Sequence, residues 1–217
     1  MTIDIDDLMN SILSSLDRID YIKADDIPNI ELYMDQVTTF MESRLRSTTR
    51  NPGEDKIMTK TMINNYAKDN LLPPPVKKKY SKEHMFVLIL IYYFKNVLSI
   101  NDINSALMPI KERYFDGTEG HNVEDVYESI RKVAETLTDS IKGDLLETYK
   151  TACGIFPDAK EDEEEVLTMF SFITLLVLDV YIKKLLIEKL IDGYNMKLSE
   201  ADGKVKQSGE DGEKKEK

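Results

Sequence analysis

The side chains of this chain best suited to chemistry lie between positions 59 and 80. Thr59, Lys60, Thr61, Asn64, Asn65, Tyr66 and Lys68 come first, and Lys77, Lys78, Lys79 and Tyr80 follow three consecutive prolines, Pro73 to Pro75. A carboxamide can pair in bidentate fashion with adenine, which makes Asn64 and Asn65 the residues able to read a base. Ammonium and hydroxyl groups suit phosphate oxygens, contacts that position a protein on a duplex without reading it. Tyr66 and Tyr80 each offer a ring for a small core and a hydroxyl for its edge. Nucleic-acid contact, and no bond-making chemistry, is what this set supports.

Other chemistries find little material. Soft metal ligands are confined to His84, His121 and Cys153, without the spacing of a zinc site. There is no glycine-rich phosphate loop, no hydrolase elbow and no helical pair of histidines. The acidic run Glu161 to Glu165 lacks the alternating ligands and turn glycine of a calcium loop and reads as a helix start. His84 reads as a capping or packing residue and Cys153 as a buried thiol. No enzyme, no metal and no cofactor is expected.

Net charge over the 217 residues is −11, which disfavours indiscriminate binding to polyanions. The average hides an island. From Met41 to Lys82 there are ten Lys and Arg against four Asp and Glu, a local +6. Such an island acts over about one Debye length, roughly 8 Å at physiological salt, as a locally docking DNA reader requires. Its plainer reading is the solvated rim of a small domain. The start, MTIDIDDLMNSIL, is acidic where an export signal is basic, and a single cysteine forms no disulfide within the chain, so a cytoplasmic setting is expected.

Helices position these residues. Apolar spacing predicts a short amphipathic helix over residues 4–18, and a second from about Ile30 to Arg46 striped by Tyr33, Val37, Phe40 and Met41. Thr59 or Thr61 caps the helix that carries the two asparagines, and Asn70 ends it. The prolines then hold the lysines on a stiff strut. Ser81 caps a helix that is apolar all round from Met85 to Phe94, and Ser99 with Asp102 opens the next through a capping box. Beyond Pro109, Val123, Val126, Tyr127, Ile130, Val133, Leu137 and Ile141 stripe a long helix from about Val123 to Thr138; its continuation past Gly143 to Ala152 is left open, and Gly154 and Pro157 set the limit. The last helix runs from the acidic cluster to about Met196, and Ser199 to Lys217 reads as a disordered tail. Within it, Val166 to Leu178 is nearly continuous apolar sequence, but Asp179 would cost about 2.5–3.5 kcal/mol in a bilayer, so a dimer interface is expected there and no membrane.

Three strings resemble the DNA-binding domain of MerR-type regulators: Asn70-Leu71-Leu72-Pro73-Pro74, Lys79-Tyr80-Ser81 and Leu98-Ser99-Ile100-Asn101-Asp102-Ile103. That family has "GLLPP", "RYS" and "FSLEEI" there. Asn64 and Asn65 stand where it carries an arginine and a tyrosine, and Tyr66 is kept. Residues 27 to 110, about 40% of the chain, are also similar to a bacterial family described only as a domain of unknown function, through LYMDQVTTF, TMINNY and LLPPPVKKKYS.

The resulting expectation is an all-α protein. Its parts are an N-terminal helix (1–26), a MerR-like winged helix-turn-helix domain (27–110), a C-terminal helical dimerisation region (111–198) and a tail (199–217). Its function would be transcriptional regulation as a DNA-binding homodimer. The alternative is a helix-turn-helix scaffold used as a protein-interaction or sensor module without DNA.

Overall fold

A computed structural model describes residues 5–16, 21–117 and 120–213. It is mostly helical, with seven α-helices and two short strands among these residues. The first helix, α1 (Ile5–Leu16), precedes strand β1 (Leu32–Tyr33), α2 (Met34–Leu45), α3 (Lys60–Lys68) and strand β2 (Lys79–Tyr80). Four longer helices complete the chain: α4 (Lys82–Phe94), α5 (Ile100–Tyr114), α6 (Val123–Cys153) and α7 (Glu161–Glu213).

The main core is built around α4. Met85, Phe86, Leu88, Ile89 and Ile91 are fully buried, as an all-apolar helix must be. Val37, Met41 and Leu45 from α2 and Ile63 and Tyr66 from α3 pack with it, as do Ile103 and Leu107 from α5. Tyr33 does not join that stripe. It belongs to β1, pairs with Lys79 and is 55% exposed, because α2 begins at Met34, about four residues later than the apolar spacing suggested.

Helix α5 continues through Pro109 to Tyr114, so the boundary expected at residue 110 falls inside a helix. The core does not stop there either, since Val123 and Tyr127 at the start of α6 are part of it. The Tyr127 hydroxyl donates to the Ile22 carbonyl at 2.6 Å, and burial raises its pKa. The Ala24 N–H donates to Glu128 at 2.7 Å, while Arg131, only 8% exposed, holds the same carboxylate at 2.9 Å. Those hydrogen bonds from Arg131 keep the Glu128 carboxyl below the usual range. The segment at residues 22–24 is thus strapped to α6.

The C-terminal half is different in kind. A small second core of Met9, Ala152 and Phe172 joins α1 to the turn of the α6–α7 hairpin. Of the α6 stripe, Ile130, Val133, Leu137 and Ile141 are all more than half exposed. On α7, Val166, Phe170, Val177, Val180, Tyr181 and Leu190 are 60–72% exposed. Residues 163–198 form a helix long and apolar enough to cross a membrane, with a mean hydropathy of 1.9 over its most apolar window and 17% of that window buried. Asp179 sits within it, paired with Lys183 at 2.7 Å. Helix α7 also runs past Met196 to Glu213, across most of the stretch read as a tail; residues 214–217 lie outside the described residues. Cys153, the last residue of α6, is exposed rather than buried.

Candidate nucleic-acid interface

Helix α3 begins where Thr59 places its hydroxyl to accept from the Met62 N–H at 3.2 Å, a standard N-cap. It ends at Asn70, whose φ of 55° is left-handed, with the Leu71 and Leu72 N–H groups both turned back to the Tyr66 carbonyl at 2.8 and 3.1 Å. Lys111 of α5 donates to the Asn70 carbonyl and, at 3.0 Å, to Asn104. This fastens the end of α3 to α5. Leu71 and Leu72 are fully buried.

Nine residues make barely two and a half turns, so α3 has one inner and one outer face. Ile63 and Tyr66 point inward, while Lys60, Thr61, Asn64, Asn65 and Lys68 are exposed and Thr59 is half-buried at the cap. The outer face holds the polar set named from the sequence. The connection from α2 is long, yet it is anchored. Ile57 and Met58 are buried, and Lys95 donates to the Ile57 carbonyl at 2.5 Å.

After the prolines the chain reverses in two residues. Val76 bridges to Lys79, whose N–H donates to the Val76 carbonyl at 2.9 Å, and Lys77 and Lys78 form the tip with φ of 50° and 63°. Two successive left-handed residues are the signature of a type I′ hairpin turn, a place for Asn and Gly. Lysine there is strained by about 1–2 kcal/mol per residue. Both tip lysines are exposed. β2 then pairs antiparallel with β1, Leu32 opposite Tyr80 and Tyr33 opposite Lys79, which docks this small wing beside the start of α2.

Tyr80 and Tyr66 are not part of a surface. They are 3% and 7% exposed, and burial raises both phenol pKa values. Expected among the DNA-facing groups, both side chains instead give their rings to the core. Tyr80 packs edge-on against His84, and His84 against Phe115. His84 Nδ1 accepts from the Ser81 N–H at 3.1 Å and lies 2.8 Å from the Ser81 hydroxyl, which fixes the proton on Nε2. Burial lowers its pKa from 6.5, against the opposite pull of the Pro74 carbonyl, Glu83 and the Pro73 carbonyl. It closes the base of the wing as a neutral capping residue.

The basic island is partly cancelled by carboxylates, four of which, Asp26, Glu31, Asp35 and Glu124, lie outside the Met41–Lys82 stretch. Arg44 pairs with Asp26, Arg46 with Glu42, Lys60 with Asp35, Lys79 with Glu31 and Lys82 with Glu124. Lys79 also lies 5.7 Å over the Tyr33 ring. Among the described residues, Lys68, Lys77 and Lys78 form no ion pair, and no group of His, Cys, Asp and Glu is placed to hold a metal. The carboxylates that pair Lys60 and Lys79 come from α2 and from beside β1. Fold proximity, not sequence proximity, sets the charge of this face.

Neither a curated protein nor a solved structure matches the chain, and no comparison extends to the MerR-type regulators. One family model does match, over residues 22–130. It is longer at both ends than the similarity read from the sequence, and it takes in both the strap that begins at Ile22 and the start of α6 that completes the core. With half of its length covered by that match, the chain belongs to the family described as Domain of unknown function (DUF1836).

Proposed function

We propose that this protein is a cytoplasmic transcriptional regulator that binds DNA as a homodimer through a MerR-like winged helix-turn-helix. The observation that carries the reading is the pairing of two polar surfaces. One is the outer face of α3, with Thr61, Asn64, Asn65 and Lys68; the other is the tip of the wing, with Lys77 and Lys78 in strained left-handed geometry. Strain retained at an exposed turn is a mark of a position kept for function. In this reading α3 enters a groove, the asparagines reach base edges and the lysines meet phosphates.

The homodimer follows from the C-terminal hairpin. A soluble helix with Phe170, Val177 and Tyr181 at 60–68% exposure needs cover, and Asp179 in the same stretch disfavours lipid as that cover. A second copy of α6 and α7 supplies matching apolar stripes, and a two-fold pair holds two α3 helices for two half-sites.

The second reading is a helix-turn-helix scaffold that contacts protein instead of DNA. It is favoured by the ion pairs that neutralise Arg44, Arg46, Lys60, Lys79 and Lys82. Genomic-fragment selection with purified protein, followed by titration at several salt concentrations, separates the two. Replacing Lys77, Lys78 and Lys79 with alanine should lower the salt slope by about two, one for each unpaired lysine and little for Lys79. Asn64→Ala or Asn65→Ala should lose about 1–3 kcal/mol on a selected site and much less on random DNA. Absence of any enriched fragment, with an unchanged slope, would leave the scaffold reading.

A further inference from the structure

Where α7 passes α5 the two helices do not close against each other. A cavity of about 530 Å³ lies between them, floored by the end of α4. Phe94, Val97 and Leu98 form that floor, and Ile187, Leu190 and Ile191 form the α7 wall. The opening on α5 exists because Ser105 and Ala106 stand where larger side chains would fill it. Among the described residues that line it there is no Lys, Arg, Asp or Glu. Tyr194 and Asn195, at one end of the α7 wall, add a phenol and a carboxamide.

We propose that this cavity is a binding site for a small, uncharged, mainly apolar molecule of two or three rings, or a medium-length chain, with at most one hydrogen-bonding group. Its size is that of small-molecule sites, which are concave, apolar and marked by a few polar groups. The α7 wall from Ile187 to Asn195 is about 12 Å long at 1.5 Å per residue, which bounds the length of the ligand. The lack of a charged wall residue sets its polarity, since an ion buried there would have no partner. This hollow is bounded by two helices of one chain and is open on one side, where Leu190 of its wall is 72% exposed. A bound ligand would fasten α7 to the α4–α5 end of the main core, at the joint between that core and the hairpin. The proposal does not rest on DNA binding.

The probe is N-phenyl-1-naphthylamine, an uncharged aromatic dye, titrated into the full chain. Saturable binding of one dye per chain is expected. Ala106→Phe, which fills the hollow, should weaken it at least about tenfold, or 1.4 kcal/mol, with helix content and oligomeric size unchanged. The chain has no tryptophan, so Leu190→Trp, at a position already 72% exposed, supplies a lone reporter whose emission the bound dye should quench. Absence of saturable binding, equal binding by Ala106→Phe, or an unquenched tryptophan at dye saturation would each overturn the proposal. Loss of dye binding on Phe170→Glu, far from the hollow along α7, would also overturn it and assign the dye to the seam between two copies.

Discussion

Helix α4 and the apolar stretch of α7 from Val166 to Ile191 meet opposite fates. On α4, Phe86, Leu88, Ile89 and Ile91 are sealed by α2, α3, α5 and the start of α6. On α7, Val166, Phe170, Val177 and Val180 stay at 60–69% exposure, because among the described residues α6, Met9 of α1 and, farther along, α5 cover other parts of that helix. Hydrophobic composition alone therefore says which helix must be covered, not by what. The family match ends at residue 130, where self-sufficient packing gives way to the hairpin.

The widest separation between the two regions should come from phenylalanine truncation. Phe86→Ala should cost about 3–5 kcal/mol in denaturant titration at every protein concentration. Phe170→Ala should cost little in dilute protein and progressively more as concentration rises, because the lost contact would belong to a pair of chains. The sharper form of the test is charge. Phe170→Glu with Val177→Glu should give a single chain by light scattering; Leu175 is avoided because it packs on the Met9 core of the hairpin. If Phe170→Ala is as costly as Phe86→Ala regardless of concentration, α7 is internal to one chain and the contrast fails.

A smaller effect should distinguish folding from function within the core domain itself. Lys78→Gly removes a side chain from a left-handed position and should raise stability by about 1 kcal/mol, while DNA affinity falls. Thermal melting and a binding titration read the two signs. A lower melting temperature would show that the tip lysine contributes contacts that outweigh its strain.

The smallest effect is a pH dependence confined to the core side of the contrast. His84 has its pKa held below 6.5 by burial, so the unfolded chain binds its proton first as pH falls. Its contribution to stability is present above pH 6.5 and declines as pH drops from there through the lowered folded value. His84→Asn, which keeps an acceptor for the Ser81 N–H, should flatten that part of the stability profile. An identical profile in the variant would remove His84 from the balance.

Much of the polar surface was legible in advance because its signals are local. The Thr59 cap, the Asn70 stop, the proline strut and the Ser99–Asp102 box each involve residues within a few positions of one another. What escaped involved distance along the chain. Strand β1 is two residues long and exists only because β2, more than forty positions later, is beside it. Glu31 and Asp35 discharge part of the lysine face from outside the counted window. Glu128 and Arg131 show in sequence as an ordinary i, i+3 pair; that they face inward depends on the Ala24 N–H, which the Glu128 carboxylate accepts beside the Arg131 donors.

The core domain is hitched to the hairpin at two places rather than one. Covalently it continues from α5 into α6; separately, the segment before β1 is bonded to Tyr127 and Glu128, with α1 seated on the hairpin turn through Met9. A body on one tether swivels, whereas a body on two resists torsion. In a paired molecule the distance and angle between the two wings would then be a fixed dimension, and insertion of even half a helical turn between two half-sites should not be absorbed by the protein.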